Sequence, residues 1–294
     1  MPIDTRLSVE VSRALNEPLY GTIKASDIFF LLEYNGTYAH EAWAEADIPL
    51  AVKEKIQSYP NSHQLLMRQP GQSGESDKQM TLFVIHANSE TPTIYRLDVP
   101  NYEALLAIDF DAVLRGEVVA ASQEPLYAVC SNGKRDICCS KFGIALYNAL
   151  TALVGDAVWQ VSHIGGHRLA ATMYCFPHAI CYGFLSEDDA SPIVQSYSTG
   201  HLLLHKLRGR AIMAKPVQAA DYFLRHELSE TRINALRIIT VENSDGQWDI
   251  CLEIDNVTYC VQIAAAEPLQ VLATTGDEQY KSMPQFKFVG YEKL

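Results

Sequence analysis

No cysteine precedes Cys130, and the seven that the chain does carry are an odd number. A disulfide framework over the whole chain is therefore excluded, and a reducing compartment fits this usage better. Positive charge is also short: 23 Lys and Arg stand against 35 Asp and Glu, a formal net charge of −12. Such a balance disfavours a grip on phosphate backbones, so nucleic acid is not an expected partner. Long apolar runs are missing as well; residues 28–32 are typical of those present and are far too short to span a bilayer. The opening MPIDTRLSVEVSR has no cationic stretch followed by an apolar segment. The expectation is a cytoplasmic chain without membrane association. What is abundant is core material, since 48% of the 294 residues are hydrophobic. That length is a prior for two or three domains rather than one.

Hydrophobic periodicity organises the chain. The first part reads strand 28–34, helix 49–59, strands 65–68, 80–86 and 93–99, then helix 102–114. The next part repeats that order: strand 126–129, helix 141–154, strands 157–161, 169–176 and 179–185, then helix 192–207. A polar loop at 69–76 interrupts the first part, and residues 120–125 look like a boundary. The fold class expected is α/β, with tandem thioredoxin-like halves at 1–119 and 120–213 and a smaller α+β region at 214–294. That last region opens with a helix started by Pro216, with Val217, Ala220, Phe223 and Leu224 on one face. Two alternating strands follow, joined by a two-residue turn at Asp255-Asn256. In that register Cys251 falls opposite Cys260, a separation a disulfide could bridge. In a reducing compartment the pair is expected to stay reduced.

The chemistry lies in two short motifs. Cys130 and Cys139 have eight residues between them in CSNGKRDICCS, and His163 and His167 have three between them in SHIGGHR. Thiolate sulfur and imidazole nitrogen suit iron–sulfur clusters, zinc or copper, whereas the carboxylates preferred by magnesium and calcium are represented there only by Asp136. The helix read after Cys139 would favour the thiolate that a metal requires, with Lys134 and Arg135 adding positive potential. Gly165-Gly166 argues against a helix and for a glycine turn from which both histidines project. Zinc knuckles usually space their ligands two to four residues apart, so the long cysteine spacing weighs against zinc.

The run CSNGKRDICCSKFG, then VWQVSHIGGHRLAATMYCFPHAICYGFL, then HLLLHKLRGR and KPVQAADYFL resembles the sucrase/ferredoxin-like family, a branch of the thioredoxin-like 2Fe-2S ferredoxins. The resemblance is strongest over 126–228. It implies a 2Fe-2S cluster held by Cys130, Cys139, His163 and His167, a bis-histidinyl arrangement unlike the four cysteines of better-known relatives. The doubled Cys138-Cys139 raises the choice of thiol, and spacing favours Cys139. The implied function is electron transfer or redox sensing with a reductase or electron acceptor as protein partner, rather than turnover; no catalytic residue is assigned. Neutral imidazoles in place of thiolates should raise the reduction potential and make it fall with rising pH. The alternatives are a structural zinc protein on the same ligands and a thiol oxidoreductase, the latter without the usual C-x-x-C dithiol. The family's name is no evidence of sugar hydrolysis, for which no carboxylate pair stands out.

Other polar residues receive plainer readings. His40, His63, His86, His178 and His226 are given no role. His201 and His205 have the spacing of one helical face, but the intervening leucines already have a packing task. Cys175 and Cys181 are read as sheet packing. Cys138 and Arg168 stand beside the ligands, as Lys134 and Arg135 do, and could support them from outside. Asp136 is read as a solvated loop carboxylate, and Lys206, Arg208 and Arg210 as a solvated helix end.

Overall fold

The computed structural model describes residues 6–70 and 79–294; most of the polar loop read at 69–76 lies outside them. In chain order the elements are α1 (Ser8–Ala14), β1 (Ile28–Glu33), α2 (Ala42–Glu45), α3 (Leu50–Gln57), β2 (Ser62–Arg68), β3 (Met80–His86), β4 (Thr93–Val99), α4 (Phe110–Leu114), β5 (Ala121–Ser122), β6 (Leu126–Cys130) and α5 (Ile137–Val154). There follow β7 (Val158–Val161), β8 (Met173–Phe176), β9 (Ile180–Tyr182), α6 (Ala190–Ser198), β10 (Leu207–Arg210), α7 (Lys215–Leu228), β11 (Leu236–Ser244), β12 (Gln247–Ile254), β13 (Val257–Val271) and β14 (Lys281–Lys293).

Among the described residues ten strands form one mixed sheet, ordered β10-β9-β8-β6-β7-β2-β1-β3-β4-β5, and β11 to β14 form a separate antiparallel sheet. The repeat read in the sequence is visible strand for strand. β1 is parallel to β2 and antiparallel to β3, which pairs antiparallel with β4. β6 is likewise parallel to β7 and antiparallel to β8, which pairs antiparallel with β9. The two halves meet where the ends of β2 and β7 pair antiparallel, Met67 with Val161 and Arg68 with Gln160.

That junction is a corner. Four strand spacings separate β1 from β8, about 19 Å in a flat sheet, yet the Phe29 and Phe176 rings lie 4.9 Å apart and Phe29 and Tyr174 5.4 Å apart. The sheet therefore folds back on itself, and one face of each half buries against the other. Phe29, Leu31, Leu65 and Phe83 join Ala128, Cys130, Trp159, Tyr174 and Phe176 in a shared core. Outside it, α3 and α4 cover the first half through Val52, Ile56, Phe110 and Val113. Leu146, Leu150, Ile193 and Tyr197 of α5 and α6 cover the second. The third region packs Val217, Ala220 and Leu224 of α7 on Ile250, Leu252, Val261 and Ile263, the face its alternation marked.

Several boundaries differ from the sequence reading for local reasons. The helix read over 102–114 is a 3-10 turn and then α4, because Asp109 leaves helical geometry and accepts from the Asp111 and Ala112 N–H groups as an N-cap. α5 starts earlier than expected: Asp136 caps it through the Cys138 N–H at 2.8 Å, so both Cys138 and Cys139 lie in its first turn. By length and composition α5 is apolar enough to cross a membrane, which the short apolar runs did not suggest; here one face, with Leu146 and Leu150, packs on the sheet, while Ile144 and Leu153 are exposed. The α-helix read over 192–207 ends at Ser198; Leu202 and Leu203 lie in no helix, a short 3-10 turn follows at Leu204–Lys206, and His201 and His205 share no helix face. Residues Leu207–Arg210 instead form an edge strand in which Arg208 and Arg210 are buried, not solvated. Cys251 and Cys260 sit opposite each other as the register required, and they are disulfide-bonded, contrary to the reduced pair expected.

Candidate metal centre

The corner between the halves gathers the two motifs. Cys130 ends β6, Cys139 lies in the first turn of α5, and the segment after β7 carries His163 across β2, where Ser162 N–H donates to Leu66 O at 2.8 Å. α5 reaches this close to β6 because position 143 is glycine: a Cβ there would overlap the Cys130 carbonyl oxygen. Gly165 and Gly166 then turn the chain with φ of +92° and +74°, the glycine turn expected between the histidines. Arg208 lies under that turn, fully buried, donating to Gly165 O at 2.9 Å.

The sulfur and nitrogen atoms converge. Cys130, Cys139 and His163 place one ligand atom each within 4.8 Å of one another. His163 Nδ1 is 3.9 Å from Cys130 Sγ and 3.7 Å from Cys139 Sγ. His167 stands one step further out, its Nδ1 3.5 Å from His163 Nε2. Cys138 turns away from the group: its Sγ is 3.4 Å from Thr275 Oγ1 and 3.6 Å from Ser8 Oγ. Hydrogen bonding to Cys139 and the neighbouring His163 hold the Cys130 thiol well below its usual range despite burial, and the same pairing pushes Cys139 up. One proton is thus easily lost from the pair and the second is retained. Burial and the neighbouring His163 lower His167 to about 4, leaving its imidazole neutral at physiological pH, the form that binds metals.

The flanking residues divide. Asp136 is buried rather than solvated and ties three parts of the chain together. Its carboxylate accepts from the Thr275 N–H at 2.7 Å and the Thr275 hydroxyl at 3.0 Å, besides capping α5, and the Ser8 hydroxyl lies 3.5 Å away. Burial works against ionisation there, but these backbone N–H groups outweigh it and hold the carboxyl below its usual range. Arg168 pairs with buried Glu17 at 2.7 Å and so faces the N-terminal segment rather than the thiols. Arg135 pairs with Glu41 and lies 3.3 Å from His40 Nδ1, while the Lys134 side chain is exposed. Beside His163 a cavity of about 300 Å³ is lined by His40, Glu41, Trp43, Gln64 and Arg135. A larger cleft, about 750 Å³, lies by Tyr197, His201 and Arg232 and holds none of the predicted ligands.

The description sucrase/ferredoxin-like matches residues 19–209 of the chain. The chain belongs to the sucrase/ferredoxin-like family. The matched span contains both halves of the large sheet and every cysteine and histidine of the centre, and it stops before the third region. No curated protein and no solved structure matches the chain. In this member of the family, α1 and the segment 273–275, neither of them within the matched span, close one side of the centre. Ser8, Thr274 and Thr275 left no mark in the sequence, because their partners stand more than a hundred residues away and no spacing connects them.

Proposed function

We propose that this chain is a 2Fe-2S protein for electron transfer or redox sensing, with Cys130, Cys139, His163 and His167 holding the cluster in the second of two thioredoxin-like units. The observation that carries the reading is the convergence of two thiols and an imidazole within 4.8 Å inside the span matched to the family. The donor chemistry suits iron with bridging sulfide, and a cluster so bound would supply one-electron exchange. The residues around it do the rest. Cys130 and Cys139, both buried, exclude water from the thiolate side. His163, the one predicted ligand that is not buried, marks the side on which a reductase or acceptor would approach. The imidazoles keep a ring N–H each, so the potential should fall as pH rises once those protons leave the oxidised form. We take the protein to act in the cytoplasm on a protein partner, without nucleic acid or membrane, in keeping with its acidic balance.

A mononuclear zinc site is the second reading, and one distance favours it. Sulfur and nitrogen bound to the same tetrahedral ion lie about 3.5 Å apart, close to the 3.7 and 3.9 Å seen here. Ligands on opposite irons of a cluster would stand further apart. The visible spectrum of anaerobically purified protein, with iron and acid-labile sulfide assayed on the same sample, separates the two. A red-brown protein with two irons and two sulfides supports the cluster; a colourless one that keeps zinc after iron-replete expression contradicts it, because zinc has a filled d shell.

A further inference from the structure

The third region reaches back to the centre through a short strap after β13. Thr274 Oγ1 lies 3.2 Å from His167 Nε2. Asp136 Oδ2 lies 3.8 Å from the same nitrogen, and Thr275 is bonded to that carboxylate through both its N–H and its hydroxyl. The outer edge of the His167 ring therefore faces a carboxylate and a hydroxyl oxygen, both able to accept a proton's hydrogen bond. The inner edge, Nδ1, faces His163 Nε2 at 3.5 Å, and His163 in turn directs Nδ1 at the two sulfurs.

We infer that Thr274 and Asp136 are positioning residues that fix the ring nitrogen each histidine offers: His167 keeps its proton on Nε2 and presents Nδ1, and through it His163 does the same. The chain of contacts can run in either of two directions, and the Asp136 carboxylate beside His167 Nε2 selects the one that places a proton there. An N–H on His167 Nε2 donates outward to the Thr274 hydroxyl, with the Asp136 carboxylate 3.8 Å away, which leaves a lone pair on Nδ1. That lone pair accepts from His163 Nε2–H, which leaves the His163 Nδ1 lone pair facing Cys130 and Cys139. In the opposite assignment the Thr274 hydroxyl would donate to Nε2, and the ring's lone pair would then lie 3.8 Å from the Asp136 carboxylate, the less favourable electrostatic arrangement. Outer partners of this kind set the tautomer and orientation of metal-binding histidines in general, and their loss weakens metal binding about 10- to 100-fold. The buried Asp136 cannot turn aside, since it also caps α5 and anchors Thr275. The C-terminal region is on this account a working part of the centre. This inference rests on the proposed function only in naming what the two Nδ1 atoms are for.

The test is chosen to stand apart from metal loading. Long-range proton–nitrogen spectra of the metal-free, full-length, nitrogen-15-labelled protein at neutral pH read which ring nitrogen carries the proton, with His163→Gln and His167→Gln assigning the signals. The expected result is an Nε2–H form for both rings in the parent. Thr274→Val should mix the His167 tautomers while Thr274→Ser restores the parent spectrum, and both variants should keep the parent's melting behaviour. On iron- and sulfide-reconstituted samples, Thr274→Val should lose iron about 10-fold faster or more, and Thr274→Ser should not. An Nδ1–H form in the parent, or a Thr274→Val spectrum indistinguishable from it, overturns the inference. If no sample takes up iron but the ring-nitrogen results hold, the positioning stands and the cluster reading alone fails.

Discussion

In the first half of the large sheet the segment leaving the central strand β1 runs over 34–41 and carries no thiol; in the second half the corresponding segment after β6 runs over 131–136 between Cys130 and Cys139. The strand order around the two is the same, so the scaffold offers one equivalent place twice. Only the second carries candidate ligands. The first is used as a wall instead: the Tyr38 hydroxyl donates to Gln160 O at 3.0 Å, Asn132 Nδ2 donates to Ala39 O at 3.0 Å, and Glu41 pairs with Arg135. The two segments meet because β2 and β7 pair only at their ends, which brings the ends of both central strands to the same corner. The comparison separates what the fold supplies, a sheltered corner, from what loop residues supply, the chemistry.

The sharpest test of that separation is a pair of neighbouring cysteines. Cys130→Ser and Cys139→Ser should each abolish stoichiometric metal binding, measured by metal analysis of purified protein, whereas Cys138→Ser should retain it because that sulfur is turned to Ser8 and Thr275. Metal lost equally from all three would break the assignment of thiols. A smaller but still large effect is expected from Gly143→Ala, whose Cβ has no space against the Cys130 carbonyl. We expect about 3 kcal/mol of lost stability in chemical denaturation, with β6 or α5 forced to shift. Little change would mean that α5 can move freely relative to the cysteine loop. The smallest effect tests the wall itself. Tyr38→Phe removes one buried hydroxyl and leaves the Gln160 carbonyl without that donor, a cost of about 1 kcal/mol, and metal content should be unchanged because the first half only shelters the site.

Much of this was readable before any coordinates. Strands 80–86 and 93–99, the Asp255-Asn256 turn and the facing of Cys251 with Cys260 follow from alternation, and the observed elements and pairings coincide with them. The repeat emerged from the order of elements alone. What periodicity could not supply was the corner, since nothing local says that β1 and β8 will face each other. It also misplaced groups whose partners are distant. Arg208 sits in a run that looks like a basic surface patch, yet it is buried with its guanidinium donating to the Thr22 hydroxyl, the Thr22 carbonyl and Gly165 O. Asp136 looked like a solvated loop carboxylate because its partners, Ser8 and Thr275, come from opposite ends of the chain. The start of α5 was missed by four residues because a cap by Asp136 competes with the appearance of a glycine-containing loop.

The central claim is that one iron would be bound by thiolates and the other by imidazoles, both in the second half. Mössbauer spectroscopy of the anaerobically purified, oxidised protein grown on iron-57 tests it most directly. Two quadrupole doublets of equal area with distinct isomer shifts are expected from unlike ligand sets. A single doublet, or protein that takes up no iron while holding zinc, would contradict the account.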